Sequence, residues 1–390
     1  MSFRILAVVG LTLLFVGGAA DAGDMVTHDP QLEQIPPEEA AQIENIVRLT
    51  VAQMKNRYPG LKPVLRGVHP KDHGCVTATF RISDSLPEEL RVGVFAKPGQ
   101  EYQAWIRFSN AFPLVKDDST ATEHGSRGMA IKLMNVKGTS PVKTDEPMTQ
   151  DFLLLNHPVF SFANVEDYEA LSEVLLTDKE IADRFFTDRI KMKNGKPDLT
   201  IPMTLRAVRS AGIIRRIRSL SVTANPPAYQ TPPASPADNQ YFSAAPFLFG
   251  PDKVMKCSAK PTARSEAAPN VTDPDYLRTA LLKQLTGADA KEIVFEFQVQ
   301  IRTKADLAGK IETEIEDACF EWDQSKYPFV TVARIVIPPQ DFNTDERKRQ
   351  CESLFFTPWH TLVEHQPIGG INRMRLGVYE ASSAFRHLLK

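Results

Sequence analysis

The residues of this chain best suited to chemistry lie in three groups. The first is Arg66-Gly67-Val68-His69-Pro70-Lys71. The second begins at Arg107-Phe108-Ser109-Asn110, continues through Ser126-Arg127-Gly128-Met129-Ala130-Ile131-Lys132 and closes with Gln150-Asp151-Phe152-Leu153-Leu154-Leu155-Asn156-His157-Pro158-Val159-Phe160. The third is Arg375-Leu376-Gly377-Val378-Tyr379, with Arg386 seven residues beyond the tyrosine. An imidazole such as that of His69 moves protons near neutral pH, and arginine grips carboxylates in bidentate fashion. On a helix, Arg375 and Tyr379 would share a face, and a permanent positive charge there favours a phenolate. Taken singly, each group has a plainer reading. A histidine beside a proline is commonly a surface or hydrogen-bonded core residue, an i,i+4 pair commonly only packs, and Asn156 before His157-Pro158 could simply shape a turn. Only in combination do they point to one chemistry.

Several elements would have to position these groups. Pro36-Pro37-Glu38-Glu39 opens a helix pattern, since proline and acids suit a first turn. Ile43, Ile46, Val47, Val51 and Met54 give that helix an apolar face, and Gly60 stops it. Strand-like runs follow at Val76–Phe80, Trp105–Phe108, Met129–Leu133, Ile293–Val299 and Val330–Ile337, several alternating in polarity as in an antiparallel barrel or sheet. Helical stretches fall between them, from Val165 to Arg189 and from a cap at Asp273 to about Leu285. The fold class is α+β. Arg206, Arg209, Arg215, Arg216 and Arg218 interleave with apolar residues in a basic amphipathic helix. It reads as a helix packed on one face and solvated on the other, with peripheral contact to an anionic membrane as the alternative. The prolines of 226–236 mark an irregular surface connection.

The chain of 390 residues carries 46 basic and 48 acidic side chains, so no global field points to nucleic acid as a partner. Its 22 Phe against 3 Trp and 8 Tyr hint at a phenylalanine-lined interior. Arg4 precedes an apolar run that starts at Ile5 and ends near Ala20-Asp21-Ala22, a pattern expected of a cleaved secretory signal over residues 1–22. The mature chain would be 23–390, exported to a periplasmic or extracellular compartment. Cys75, Cys257, Cys319 and Cys351 are widely spaced and include no Cys-x-x-Cys. That argues against a zinc ribbon, and the spacing leaves disulfide pairing open.

In order and over most of the mature chain, the three groups resemble the haem catalases. That family shares an Arg-x-x-His element, an Arg-Phe-Ser strand, an Arg-Gly-x-Ala-x-Lys strand, an Asn-x-Pro-x-Phe turn and a late Arg-x-x-x-Tyr helix, and this sequence has all five. The resemblance implies a catalase-like antiparallel β-barrel core with surrounding helices, and a b-type haem (haem b) between His69 and Tyr379. Tyr379 would ligate the iron, and Arg375 would favour its phenolate form. His69 would be the distal acid–base group, chosen over His73 by its spacing from Arg66. Ser109 would orient the imidazole, Asn156 would hydrogen-bond the peroxide, and Val68 would gate the approach. Phe160 would help line the haem pocket. Arg66, Arg107 and Arg386 match the propionate-binding positions, while Arg127 and Lys132 read as structural.

The chain also departs from large catalases. It ends 11 residues after Tyr379, so their C-terminal domains are expected to be missing. The Asp-Thr-His-like run between the tyrosine and Arg386 is replaced by Glu380-Ala381-Ser382-Ser383-Ala384-Phe385, and 365–373 match loosely. The pattern is closer to the small catalase-related haem proteins. Expected activity is decomposition of hydrogen peroxide or peroxidation with organic hydroperoxides and an unknown electron donor. The alternatives are a fatty-acid hydroperoxide isomerase or lyase resembling allene oxide synthase, and a haem- or lipid-binding barrel without turnover. A homo-oligomer is compatible with the resemblance.

Overall fold

A computed structural model describes residues 26–60, 64–119, 125–177, 184–218, 233–265, 269–270 and 272–388. The expected signal segment 1–22 and the prolines of 226–232 lie outside these residues. Eight antiparallel strands form the core: β1 (Asp72–Ile82), β2 (Glu101–Asn110), β3 (Arg127–Met134), β4 (Thr149–Leu155), β5 (Tyr241–Phe242), β6 (Lys253–Pro261), β7 (Ile293–Thr303) and β8 (Val330–Ile337). Each pairs with the next in sequence, and β8 returns to pair with β1, which closes the sheet into a barrel. Closure satisfies the backbone groups that an open edge would leave exposed.

Strand side chains alternate between faces. Along β2, Ile106 and Phe108 enter the barrel, while Arg107 and Ser109 line a cavity outside it. The interior is filled by phenylalanines. Phe297 packs against Phe80 at 5.1 Å and against Phe152 at 4.7 Å between ring centroids, and Phe95 lies 6.4 Å from Phe152. Such pairs contribute about 0.5–1.5 kcal/mol each beyond area burial. The phenylalanine-rich composition is thus an interior packing, and it leaves the barrel filled rather than hollow.

Among the helices are α1 (Glu39–Arg57), α2 (Val165–Thr177), α3 (Pro202–Arg218), α4 (Tyr276–Leu285), α5 (Asp345–Ser353) and α6 (Gly370–Leu388). The helix expected from Val165 to Arg189 is described only as α2 and a short turn at Arg184–Thr187. The cap expected at Asp273 falls instead at Asp275, because the Asp273 carboxylate accepts from the Asp275 N–H and holds a turn ahead of the helix. Helix α3 places Ile213 and Ile217 against Val159, Ala163 and Cys319. Arg206 pairs with Glu166 and Asp167, Arg209 with Asp317, and Arg216 with Glu321. Those three arginines are engaged within the fold, which favours the packed reading over a membrane-resting one. No described helix is long and apolar enough to cross a membrane.

Two linkages orient the helical wall. Arg373 of α6 is buried among Glu33 at 2.5 Å, Glu39 at 2.6 Å and Glu316 at 2.9 Å. Glu33 and Glu316 also accept from the N–H groups of Gly369 and Gly370, where a helix has free donors. A disulfide between Cys75 and Cys351 joins β1 to α5, with Cα atoms 5.8 Å apart and a sequence separation of 276. Cys257 and Cys319 are free and buried. A cross-link over so long a loop stabilises by about 2–5 kcal/mol. Cys351→Ser is therefore expected to lower unfolding free energy by that order in urea titrations, and reductant should reproduce the loss in the parent protein.

Candidate active site

The cavity lies between the outward faces of β2, β3 and β4 and the helices α1, α2 and α6. Its distal wall is built around His69, in the segment leading into β1. The residue has φ +57°, a left-handed conformation unusual for a side chain other than glycine. Three contacts hold it there. Arg107 Nη2 donates to the His69 carbonyl at 2.9 Å, and the His69 Nδ1 is 2.9 Å from Ser109 Oγ. Gly128 supplies the space: a Cβ at that position would stand 2.5 Å from His69 Cε1. The imidazole therefore lies against the backbone of β3, with Nδ1 committed to Ser109 and no described protein partner at Nε2. Burial, then the charges of Arg107, Arg375 and Arg66, push its pKa down to about 3. His69 is thus neutral at physiological pH and able to accept a proton.

Helix α6 forms the opposite wall. Arg375 and Tyr379 line the cavity one turn apart, with the guanidinium 5.7 Å from the tyrosine ring and 5.8 Å from the ring of Phe160. Asn372 fixes this arrangement. Its Nδ2 donates to Pro246 O at 2.7 Å, its Oδ1 accepts from Arg375 Nη1 at 3.2 Å, and its carbonyl accepts from Trp359 Nε1 at 2.8 Å. Tyr168 of α2 also lines the cavity, its pKa pushed up to about 12 by burial and the nearby Tyr379.

Arg66, Arg107 and Arg386 gather at one end. Arg66 Nη1 reaches both oxygens of Glu352 at 2.7 Å, Arg386 reaches the same carboxylate at 3.1 Å, and Arg107 stands 4.0 Å away. The Nε atoms of Arg107 and Arg386 are buried with no hydrogen-bond partner among the described residues. Burial and Arg66 together lower Arg107 to about 9 and Arg386 to about 10. A cluster of crowded, desolvated guanidiniums with unused donors is a site for anionic oxygen.

The structure thus brings together His69, Ser109, Val68, Phe160, Arg66, Arg107, Arg375, Tyr379 and Arg386 around one cavity. Val68 is 42 % exposed at its mouth. Asn156 is the exception. Its Oδ1 accepts from the Arg127 N–H at 2.8 Å and its Nδ2 donates to Gly125 O at 2.9 Å. Both ends of the amide hold the chain entering β3, and the side chain is not part of the cavity lining. These bonds fix the backbone there and engage one of the two Nδ2 hydrogens, so the peroxide contact expected of Asn156 stays a proposal. His73, the rival to His69, is fully buried and bonded to Asn110 Oδ1 at 2.7 Å, away from the cavity. Lys132 is buried among Glu146, Asp151 and His360, a structural position as expected.

Gly128, Tyr168, Glu352 and Asn372 were not singled out as site residues by sequence. Gly128 stands in the quoted Arg-Gly-x-Ala-x-Lys strand, and the absent side chain was its signal. The other three have none, because their roles arise from contacts between distant segments.

Comparison with known folds agrees with this geometry. A fungal catalase matches with a TM-score of 0.60 and 16 % identity, covering 94 % of this chain and 65 % of its own. Catalase A from Saccharomyces cerevisiae matches with a TM-score of 0.59 and 17 % identity, covering 94 % and 67 %. A bacterial catalase matches with a TM-score of 0.56 and 16 % identity, covering 98 % and 67 %. No family model matches the sequence, and no curated protein matches it significantly. The chain has a catalase-like fold: a closed antiparallel barrel with helices packed outside it. It spans about two thirds of the length of those catalases.

Two outcomes follow from the distal wall. Gly128→Ala should displace the imidazole, seen as loss of the His69–Ser109 contact in a crystal structure of the variant. Burial also holds His73 near 3 and His157 and His365 near 4, all below the ordinary 6.5. The unfolded chain then binds protons first as pH falls, so stability present above about 6.5 is lost progressively towards 3–4. Thermal melts should show the decline beginning near pH 6, above the carboxylate range of about 4; a flat profile down to pH 5 would contradict it.

Proposed function

We propose that the protein is a haem-dependent oxidoreductase that breaks down hydrogen peroxide or uses organic hydroperoxides as a peroxidase. What carries this reading is the pairing across one cavity of a neutral, serine-held His69 with the Arg375–Tyr379 pair. The residues fit haem b. Tyr379 offers an oxygen ligand beside a permanent cation, the arginine cluster offers unused buried donors for two propionates, and Leu153, Phe160 and Met374 offer apolar walls.

Bound haem would supply the iron at which a peroxide O–O bond is cleaved. His69 would take the proton from one peroxide oxygen and return it to the departing one. Ser109 keeps Nδ1 engaged, so that the transfer runs through Nε2. Arg375 stands 5.7 Å from the ring of Tyr379, which would be the residue to hold the iron. Val68 and Phe160 would give the approach to the reacting oxygens an apolar lining. Export remains part of the proposal, and the Cys75–Cys351 disulfide supports it, since such bonds persist in oxidising compartments.

The test is the visible spectrum of haem-supplemented protein beside that of Tyr379→Phe, with hydrogen peroxide and cumene hydroperoxide then added to each. The parent should show a ferric tyrosinate-type spectrum that the variant lacks, and peroxide consumption should fall at least about 100-fold. Because His69 stays neutral, parent activity should be flat from about pH 8 down to about pH 5. Failure to bind stoichiometric haem would overturn the reading.

A further inference from the structure

The arginine cluster contains a carboxylate of its own. Glu352 is the anion that the structure sets among Arg66, Arg107 and Arg386, so three guanidiniums face one carboxylate and an excess of two positive charges is left over. Asp72, the next acid towards Arg107, is taken by Arg278 at 2.9 Å. Although burial opposes ionisation, Arg66, Arg107 and Arg386 outweigh it and hold Glu352 below the usual glutamate range. The backbone beside it is fixed. Cys351 is disulfide-bonded to β1, and Arg66 Nη2 donates to Cys351 O at 3.3 Å and Leu354 O at 3.0 Å. The Glu352 side chain is not fixed to the same degree, being 37 % exposed. It also borders a second, outer cavity lined by Arg278, Arg347 and Lys348.

We infer that Glu352 is a resident counter-ion of the cofactor's carboxylate site: it offsets part of the arginines' charge before haem arrives and competes with a propionate for Arg66 once haem is bound. This rests on the haem reading. Without Glu352, three desolvated guanidiniums repel one another in the empty protein. With it, an incoming dianion meets one negative charge at close range, which weakens the attraction it feels. Arg66 keeps its two backbone acceptors when the carboxylate turns away, and the outer cavity, where Asp72 holds Arg278, brings that carboxylate near Arg347 and Lys348. Glu352 therefore trades cofactor affinity for integrity of the empty fold.

The experiment is titration of the haem-free full chain with ferric protoporphyrin IX at low ionic strength, followed by absorbance, alongside thermal melts of the haem-free forms. Glu352→Gln should bind about 3- to 10-fold more tightly than the parent, a range set by partial solvent screening, and should melt at lower temperature when empty. Glu352→Asp, which keeps the charge, should stay near the parent in both. With the iron protoporphyrin dimethyl ester, which has no carboxylates, parent and Glu352→Gln should bind equally. Unchanged or weaker affinity of Glu352→Gln for the free acid, or an equal gain with the ester, would overturn the inference while leaving the haem reading intact. A parent protein that takes up no haem would overturn both.

Discussion

The site depends on the two-residue period of the barrel strands. Because successive side chains in β2, β3 and β4 leave on opposite faces, one stretch of chain both fills the barrel and furnishes the cavity wall. Phe108 and Ser109 illustrate this at adjacent positions, as do Phe152 and Leu153. The interior packing is dense, so these strands cannot slip by one residue without driving Arg107 and Ser109 into a phenylalanine core. The rigidity that places Ser109 against His69 is therefore the rigidity of the core itself, reached through the same backbone.

On the helical side the organising forces are electrostatic. Arg373 gathers three glutamates from separate segments at the start of α6, with Asn372 and Arg375 beside it in the same turn. The positions of Arg375 and Tyr379 are thus set by a buried ionic anchor and a helical repeat. Burial first, and then the neighbouring arginines, keep His69 neutral, and the unused buried donors make the arginine-rich end receptive to anionic oxygen.

Some of this was legible in the linear chain. The strand Val330–Ile337 was readable end to end, and the first helix began at its acidic turn, because both signals are local. Strand β6 was not, since Lys256 and Ser258 on its outward face are buried and blur the alternation that marks a half-exposed strand. His69 could be singled out from its spacing to Arg66, whereas the burial of His73 against Asn110 could not be read from the sequence. The bonds that Asn156 makes to backbone groups of 125–127 had no local signal, because they join separate segments of the chain.

By itself, then, the sequence determined the residue types and order of the site: an imidazole, a hydroxyl, arginines, and an arginine one helical turn before a tyrosine. These are properties of neighbouring residues and fixed periods. Only the tertiary structure decided that Cys75 pairs with Cys351, that Gly128 makes room for the imidazole, and that Glu352 sits among three arginines drawn from both ends of the chain. Such contacts join residues up to several hundred positions apart, and closure of the barrel and docking of the helices bring them together. No local pattern encodes that approach.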